Sequence, residues 1–158
     1  MFRVNRLDHV ALTVRDVQRS IAWYRDVFGL ERRHEETWGD YPVMMFAGDT
    51  ALALFETRGP VHDAPDSRSA AIMRHVAFQV DRVNFVKAQE GLRARGIEFV
   101  FEDHSISQSI YLRDPDNNGV ELYWDRPESE WPRLASGELA MFTHALNLDG
   151  LLQEGVSG

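Results

Sequence analysis

The chain has 158 residues, 44% of them apolar and 27% charged, which is the scale of one globular domain or of two similar halves. No run approaches the roughly 18 consecutive apolar residues of a membrane helix, and no signal-peptide core stands near the N-terminus, so a soluble, cytoplasmic protein is expected. A net charge of −8 argues against a nucleic-acid or membrane partner, and the absence of cysteine excludes disulfides, thiolate metal sites and a cysteine nucleophile.

In chain order, Leu7 to Val14 alternates as a strand does. Asp16 can cap a helix whose apolar residues Val17, Ile21, Tyr24 and Phe28 recur at helical spacing, with Gly29 suited to its C-terminal cap. Three extended stretches are expected next, at Glu31–Trp38, Tyr41–Ala47 and Thr50–Glu56, divided by the turns Gly39-Asp40 and Gly48-Asp49. Residues 57–71, rich in Pro, Gly and polar residues, read as a linker. Beyond it come a strand at Arg74–Val80, a helix at about Val83–Arg95 with Phe85, Ala88 and Leu92 on one face, and strands near Ile97–Glu102, Ser109–Arg113 and Gly119–Trp124.

This order is a repeat. His-Val-Ala-Leu-Thr-Val at His9 returns as His-Val-Ala-Phe-Gln-Val at His75, an offset of 66 residues, and Glu56 returns as Glu121 at an offset of 65. The expected fold is therefore α+β: two βαβββ modules, about 5–57 and 72–125, forming a curved open eight-stranded sheet around a metal cleft. Residues 1–127 then make one domain and 128–158 a C-terminal extension, either a strap over the sheet or a contact with a second subunit. Leu146 to Glu154 can form a short helix.

Equivalent histidines and equivalent glutamates, related by a pseudo-twofold axis, would converge on one cleft. Imidazole and carboxylate are ligands for divalent Fe, Mn, Co, Ni or Zn. The paired modules, the His-Val-Ala strands and the segment Tyr111-Leu112-Arg113-Asp114-Pro115-Asp116-Asn117-Asn118-Gly119-Val120-Glu121 resemble the vicinal oxygen chelate superfamily, which includes glyoxalase I, extradiol dioxygenases, fosfomycin-resistance transferases and bleomycin-binding proteins. Asn117 stands where that turn usually has glycine, and asparagine tolerates the same left-handed backbone.

The resemblance implies metal ligands at His9, His75 and Glu121. The stretch from Asp103 to Leu112, the continuation Glu121 to Pro127, Trp131 and the tail Leu148-Asp149-Gly150-Leu151 are similar to catechol 2,3-dioxygenase-type members. That similarity implies catalytic roles for His62 as an acid–base group, for His104 as a hydrogen-bond partner of substrate, and for Tyr111 in proton transfer. Three ligands on Fe(II) or Mn(II) leave three positions, enough for a catecholate and O2. With Glu56 as a fourth ligand, Ni(II), Co(II) or Zn(II) would instead suit glyoxalase I-type enediolate chemistry. A third reading, a metal-free binding protein, would use aromatics such as Trp38, Tyr41, Phe46, Phe78, Phe101 and Tyr123. The expected partners are a small-molecule substrate and a second copy of the chain, relatives often pairing as dimers.

Overall fold

The computed structural model describes residues 3–62, 71–141 and 144–145. The chain divides into two compact units: residues up to Arg74 with Asp114–Asn118, and His75–Arg113 with the residues from Gly119 onward. The turn Asp114–Asn118 therefore counts with the first unit although the strands on either side of it belong to the second.

In the first unit, β1 (His9–Val14) is followed by α1 (Val17–Phe28), β2 (Glu31–Arg32), the single helical turn α2 (Glu35–Trp38), β3 (Val43–Ala47) and β4 (Thr50–Glu56). Asp16 caps α1 by accepting from the Arg19 amide at 3.0 Å, and Gly29 closes it in the left-handed conformation, as the sequence predicts. The sheet order is β1-β4-β3-β2, with β1 parallel to β4. Leu12, Val14, Val43, Met45, Leu52 and Leu54 lie on one face of this sheet and, with Ile21 and Tyr24 of α1, form its core. Each such fully buried side chain contributes about 1.5–3 kcal/mol relative to exposure.

The expected strand over Glu31–Trp38 ends after two residues. Arg33 to Thr37 carries no apolar residue for a sheet to bury, and Glu35 and Glu36 at the start of a helical turn sit well against its exposed amides.

In the second unit the order is β5 (Val76–Gln79), α3 (Arg82–Ala94), β6 (Phe99–Asp103), β7 (Ser107–Arg113) and β8 (Gly119–Asp125). The strands form a separate sheet, β5-β8-β7-β6-β9, so the eight strands of the repeat are split between two sheets. The fifth strand, β9 (His144–Ala145), comes from the extension and pairs antiparallel with the edge of β6. Before it, Glu128–Glu130 forms one 3-10 turn, and Arg133 bridges to Leu139. The expected helix at Leu146–Glu154, the Leu148–Leu151 tail and most of the linker lie outside the described residues.

Even-numbered residues of β7 and β8 (Ile110, Leu112, Val120, Leu122, Trp124) are buried on one face with Phe85 of α3 and Phe101 of β6. Alternation then assigns odd-numbered residues of β7 and β8 to the other face. Asn117 holds φ 67°, the left-handed geometry its turn requires. Among the described residues, no helix is long and apolar enough to cross a membrane.

Candidate metal and catalytic site

The second sheet gathers four of the expected residues on its open face. β5 runs parallel to β8 with Ala77 opposite Glu121, so His75, two residues earlier, lies on the same side. Its Nε2 stands 2.9 Å from Glu121 Oε2. Tyr111 is directly opposite Glu121 in the antiparallel β7–β8 pair. Its ring centroid is 5.5 Å from that of His75, and its hydroxyl lies 2.9 Å from His104 Nε2. Glu102 closes the series 3.8 Å from the same nitrogen. Of these four side chains and Glu102, Glu121 is the most sheltered charged group, with 12% of its side chain exposed.

Partial burial, opposed by the Ser109 hydroxyl and reinforced by the negative charge of Glu121, pushes Tyr111 up to about 12. The phenol is therefore a proton donor at neutral pH. The direction of the hydrogen bond between the phenol and His104 Nε2 follows the imidazole tautomer: Nε2–H donates to the phenol oxygen in one, and the phenol donates to Nε2 in the other.

The donor set suits a divalent ion. Two cis ligands bonded at about 2.1 Å lie about 3.0 Å apart, close to the spacing between His75 and Glu121. In the first unit, His9 Nδ1 faces Asp8 Oδ2 at 3.0 Å. A carboxylate only accepts, so Nδ1 carries a proton, and in the neutral imidazole Nε2 keeps its lone pair, the state a metal-ligating histidine needs. The hydrogen bond from His9 is the main reason the Asp8 carboxyl sits below its ordinary value. Among the described residues, no three His, Asp or Glu side chains are gathered as a metal-holding group.

Glu56 needs correction as the repeat partner of Glu121 and candidate fourth ligand. In β1–β4, His9 is opposite Ala51 and Ala11 opposite Ala53. The residue that corresponds to Glu121 is therefore Ala53, buried with Met44 and Ala51 and packed by Phe46 and Phe55. Glu56 lies five residues beyond the level of His9, roughly 16 Å along the strand, and alternation turns it to the opposite face. It cannot share an ion with His9. His62 is exposed in the first unit, six residues past the end of β4.

Asp8 beside His9 in the first unit, and Glu102, Asp103 and Arg126 around His104 in the second, are not singled out by the sequence reading. An acid directly before a strand histidine was a readable signal for Asp8; the others depend on strand register.

A family profile matches residues 6–122, that of the Glyoxalase/Bleomycin resistance protein/Dioxygenase superfamily. The chain belongs to this superfamily. Its members act on small molecules, and they generally bind divalent metals. The catechol-2,3-dioxygenase of Bacillus subtilis (strain 168) is 32% identical over 149 residues, which is 94% of this chain. The chain spans about half the length of that dioxygenase, 51%. Among solved structures, a lactoylglutathione lyase from Agrobacterium tumefaciens is 27% identical with a TM-score of 0.58, over 77% of this chain and 94% of the other. A glyoxalase/dioxygenase from Nostoc punctiforme, 23% identical, superposes with a TM-score of 0.65 over 78% of this chain and 92% of the other, a likeness of fold.

Proposed function

We propose that the chain is a metal-dependent dioxygenase of the extradiol type, opening a catechol-like ring with O2. The observation that carries this reading is the His104–Tyr111 hydrogen-bonded pair beside His75 and Glu121. In this reading His9, His75 and Glu121 hold Fe(II) or Mn(II). When bound, the metal supplies Lewis-acid and electron-relay chemistry that activates a vicinal diol toward O2.

The protein's own groups handle protons and orientation. Tyr111 Oη exchanges a proton with one substrate oxygen, and His104 Nε2, turning from the phenol to the substrate, hydrogen-bonds a substrate oxygen. His62 is assigned acid–base duty, on the strength of the family resemblance alone. The reading also takes in a homodimer in the cytoplasm.

The runner-up is a glyoxalase I-type reaction through an enediolate, supported by the likeness to the lactoylglutathione lyase. It needs a fourth ligand from the first module. Ala53 stands at the corresponding position, which favours the three-ligand reading.

The test is reconstitution with Fe(II) under anaerobic conditions, then exposure to O2 with a panel of catechols. One O2 consumed per catechol, with a new near-visible absorbance from the opened ring, is the expected result. Isomerisation of a glutathione hemithioacetal by the Ni(II)-loaded protein, with no catechol opened by the iron form, overturns the reading.

A further inference from the structure

The segment that follows the repeat opens with Asp125-Arg126-Pro127, and its side chains are tied to the turn that carries His104. We infer that Arg126, acting through Asp103 and braced by Trp131, is a positioning residue that holds His104 against Tyr111. The inference rests on the proton-handling role proposed for that pair.

His104 occupies the tight connection between β6 and β7. Its amide donates to the Ser107 carbonyl at 2.9 Å, and its carbonyl accepts from the Ile106 amide at 2.9 Å. The turn requires Ser105 at φ 73°, a conformation unusual for a residue with a side chain. Asp103 holds it there, because its Oδ1 accepts from the Ser105 amide at 2.7 Å. The other oxygen, Oδ2, accepts from Gln108 Nε2 at 3.2 Å and from the Arg126 guanidinium. Gln108 is itself oriented, accepting from the Trp124 indole at 3.0 Å.

Arg126 meets the turn at two levels. Its backbone amide donates to the Ile106 carbonyl at 2.8 Å, while its side chain grips Asp103. Its own carbonyl accepts from the Trp131 indole at 2.9 Å, which anchors the chain just beyond it. Arg126 Nε is buried with no hydrogen-bond partner among the described residues.

Alternation explains how this reaches the site without touching it. Asp103 pairs with Gln108 on the face that carries Phe101, whereas Glu102 pairs with Ser109 on the face that carries Tyr111. His104 is the next residue after Asp103, so fixing the carboxylate and the Ser105 dihedral fixes the direction in which the imidazole leaves the backbone. Arg126 and Asp103 position; His104 and Tyr111 are the groups that would meet substrate.

The test reads the imidazole directly. In the full-length protein without metal, the His104 ring nitrogens are observed by 15N NMR and identified from their disappearance in His104→Asn. Tyr111→Phe marks the Nε2 shift caused by losing the phenol. Arg126→Gln and Asp103→Asn should move Nε2 in the same direction, and Arg126→Lys, which keeps a charged donor, should restore most of the native value. With a catechol that the iron-loaded protein opens, Arg126→Gln should lower kcat about 10- to 100-fold, with KM and bound metal nearly unchanged.

An unmoved Nε2 resonance in both Arg126→Gln and Asp103→Asn, with the amide spectra of α3 and β8 intact, overturns the inference. Should Arg126→Gln fail to fold, the isosteric Asp103→Asn decides it. If no catechol is opened by the native protein, the dioxygenase reading fails while the NMR comparison still decides the clamp.

Discussion

Replacing Tyr24 with phenylalanine removes a single oxygen from the interior of the first unit. Tyr24 is fully buried and donates to Asp114 Oδ2 at 2.9 Å. Asp114, 5% exposed, also accepts from the Asp116 amide at 2.9 Å, from the Asn118 amide at 2.7 Å and from Asn118 Nδ2 at 2.9 Å. The substitution therefore weakens the solvation of a buried carboxylate without orphaning it. A hydrogen bond to a charged group is worth about 1.5–3 kcal/mol, and three surviving donors place the expected loss near the lower end, about 1.5–2 kcal/mol. For a chain of this size that corresponds to a melting temperature lower by about 3–8 °C.

Urea unfolding followed by tryptophan fluorescence measures the loss, with the m-value unchanged. Asp114→Ala, which strands all four donors, should cost more. A Tyr24→Phe loss below about 0.5 kcal/mol, or one equal to that of Asp114→Ala, refutes the reasoning. pH supplies a second check. Burial, and then the Asp114 carboxylate, push the Tyr24 hydroxyl far above its ordinary value. A folded pKa raised above the unfolded one gives stability that is complete below about pH 10 and is lost as pH climbs toward the folded value. Each such group contributes a decline of about 1.4 kcal/mol per pH unit in that window, and Tyr24→Phe should remove its share.

The remaining predictions concern the site. His75→Ala and Glu121→Ala should each abolish metal retention, and Glu56→Gln should leave it intact, as measured by metal analysis after reconstitution; Tyr111→Phe should keep the metal and slow turnover. Asp8→Asn should weaken metal binding about 10- to 100-fold by releasing the His9 tautomer, read by titration with the ion. Burial raises the Asp103 carboxyl, but hydrogen bonds from Gln108, the Ser105 amide and Arg126 offset this and leave it below its ordinary 3.8. The stability it lends is present above that value and lost as pH falls through the folded one, so Asp103→Asn should flatten acid unfolding below about pH 4.

Much of the fold was legible because local chemistry wrote it. Asp16 and Gly29 marked the ends of α1, the two His-Val-Ala runs marked β1 and β5, and Asn117 announced a left-handed turn. The segment around Glu35 was misread as extended because turns at Gly39 and Gly48 suggested hairpins, although nothing between Arg33 and Thr37 could be buried by a sheet. The tie from Arg126 to Asp103 had no signal at all. It joins residues on different elements through a side-chain bond that only the placement of β6 beside β7 and β8 brings about.

Glu56 shows where sequence reasoning stops. His9 precedes Glu56 by nearly the same interval that separates His75 from Glu121, and a repeat makes that look like equivalence. Residue n of β1 meets residue n+42 of β4, however, while residue n of β5 meets residue n+44 of β8. The second module carries two more residues between its paired strands, so the counterpart of Glu121 falls on Ala53. Chain composition and periodicity determined the class of fold and the kinds of ligand available, because these depend on residues close together in the chain. Strand register decided which carboxylate stands beside which histidine, because side chains alternate between faces at every residue and intervals along the chain do not record where two distant strands come into step.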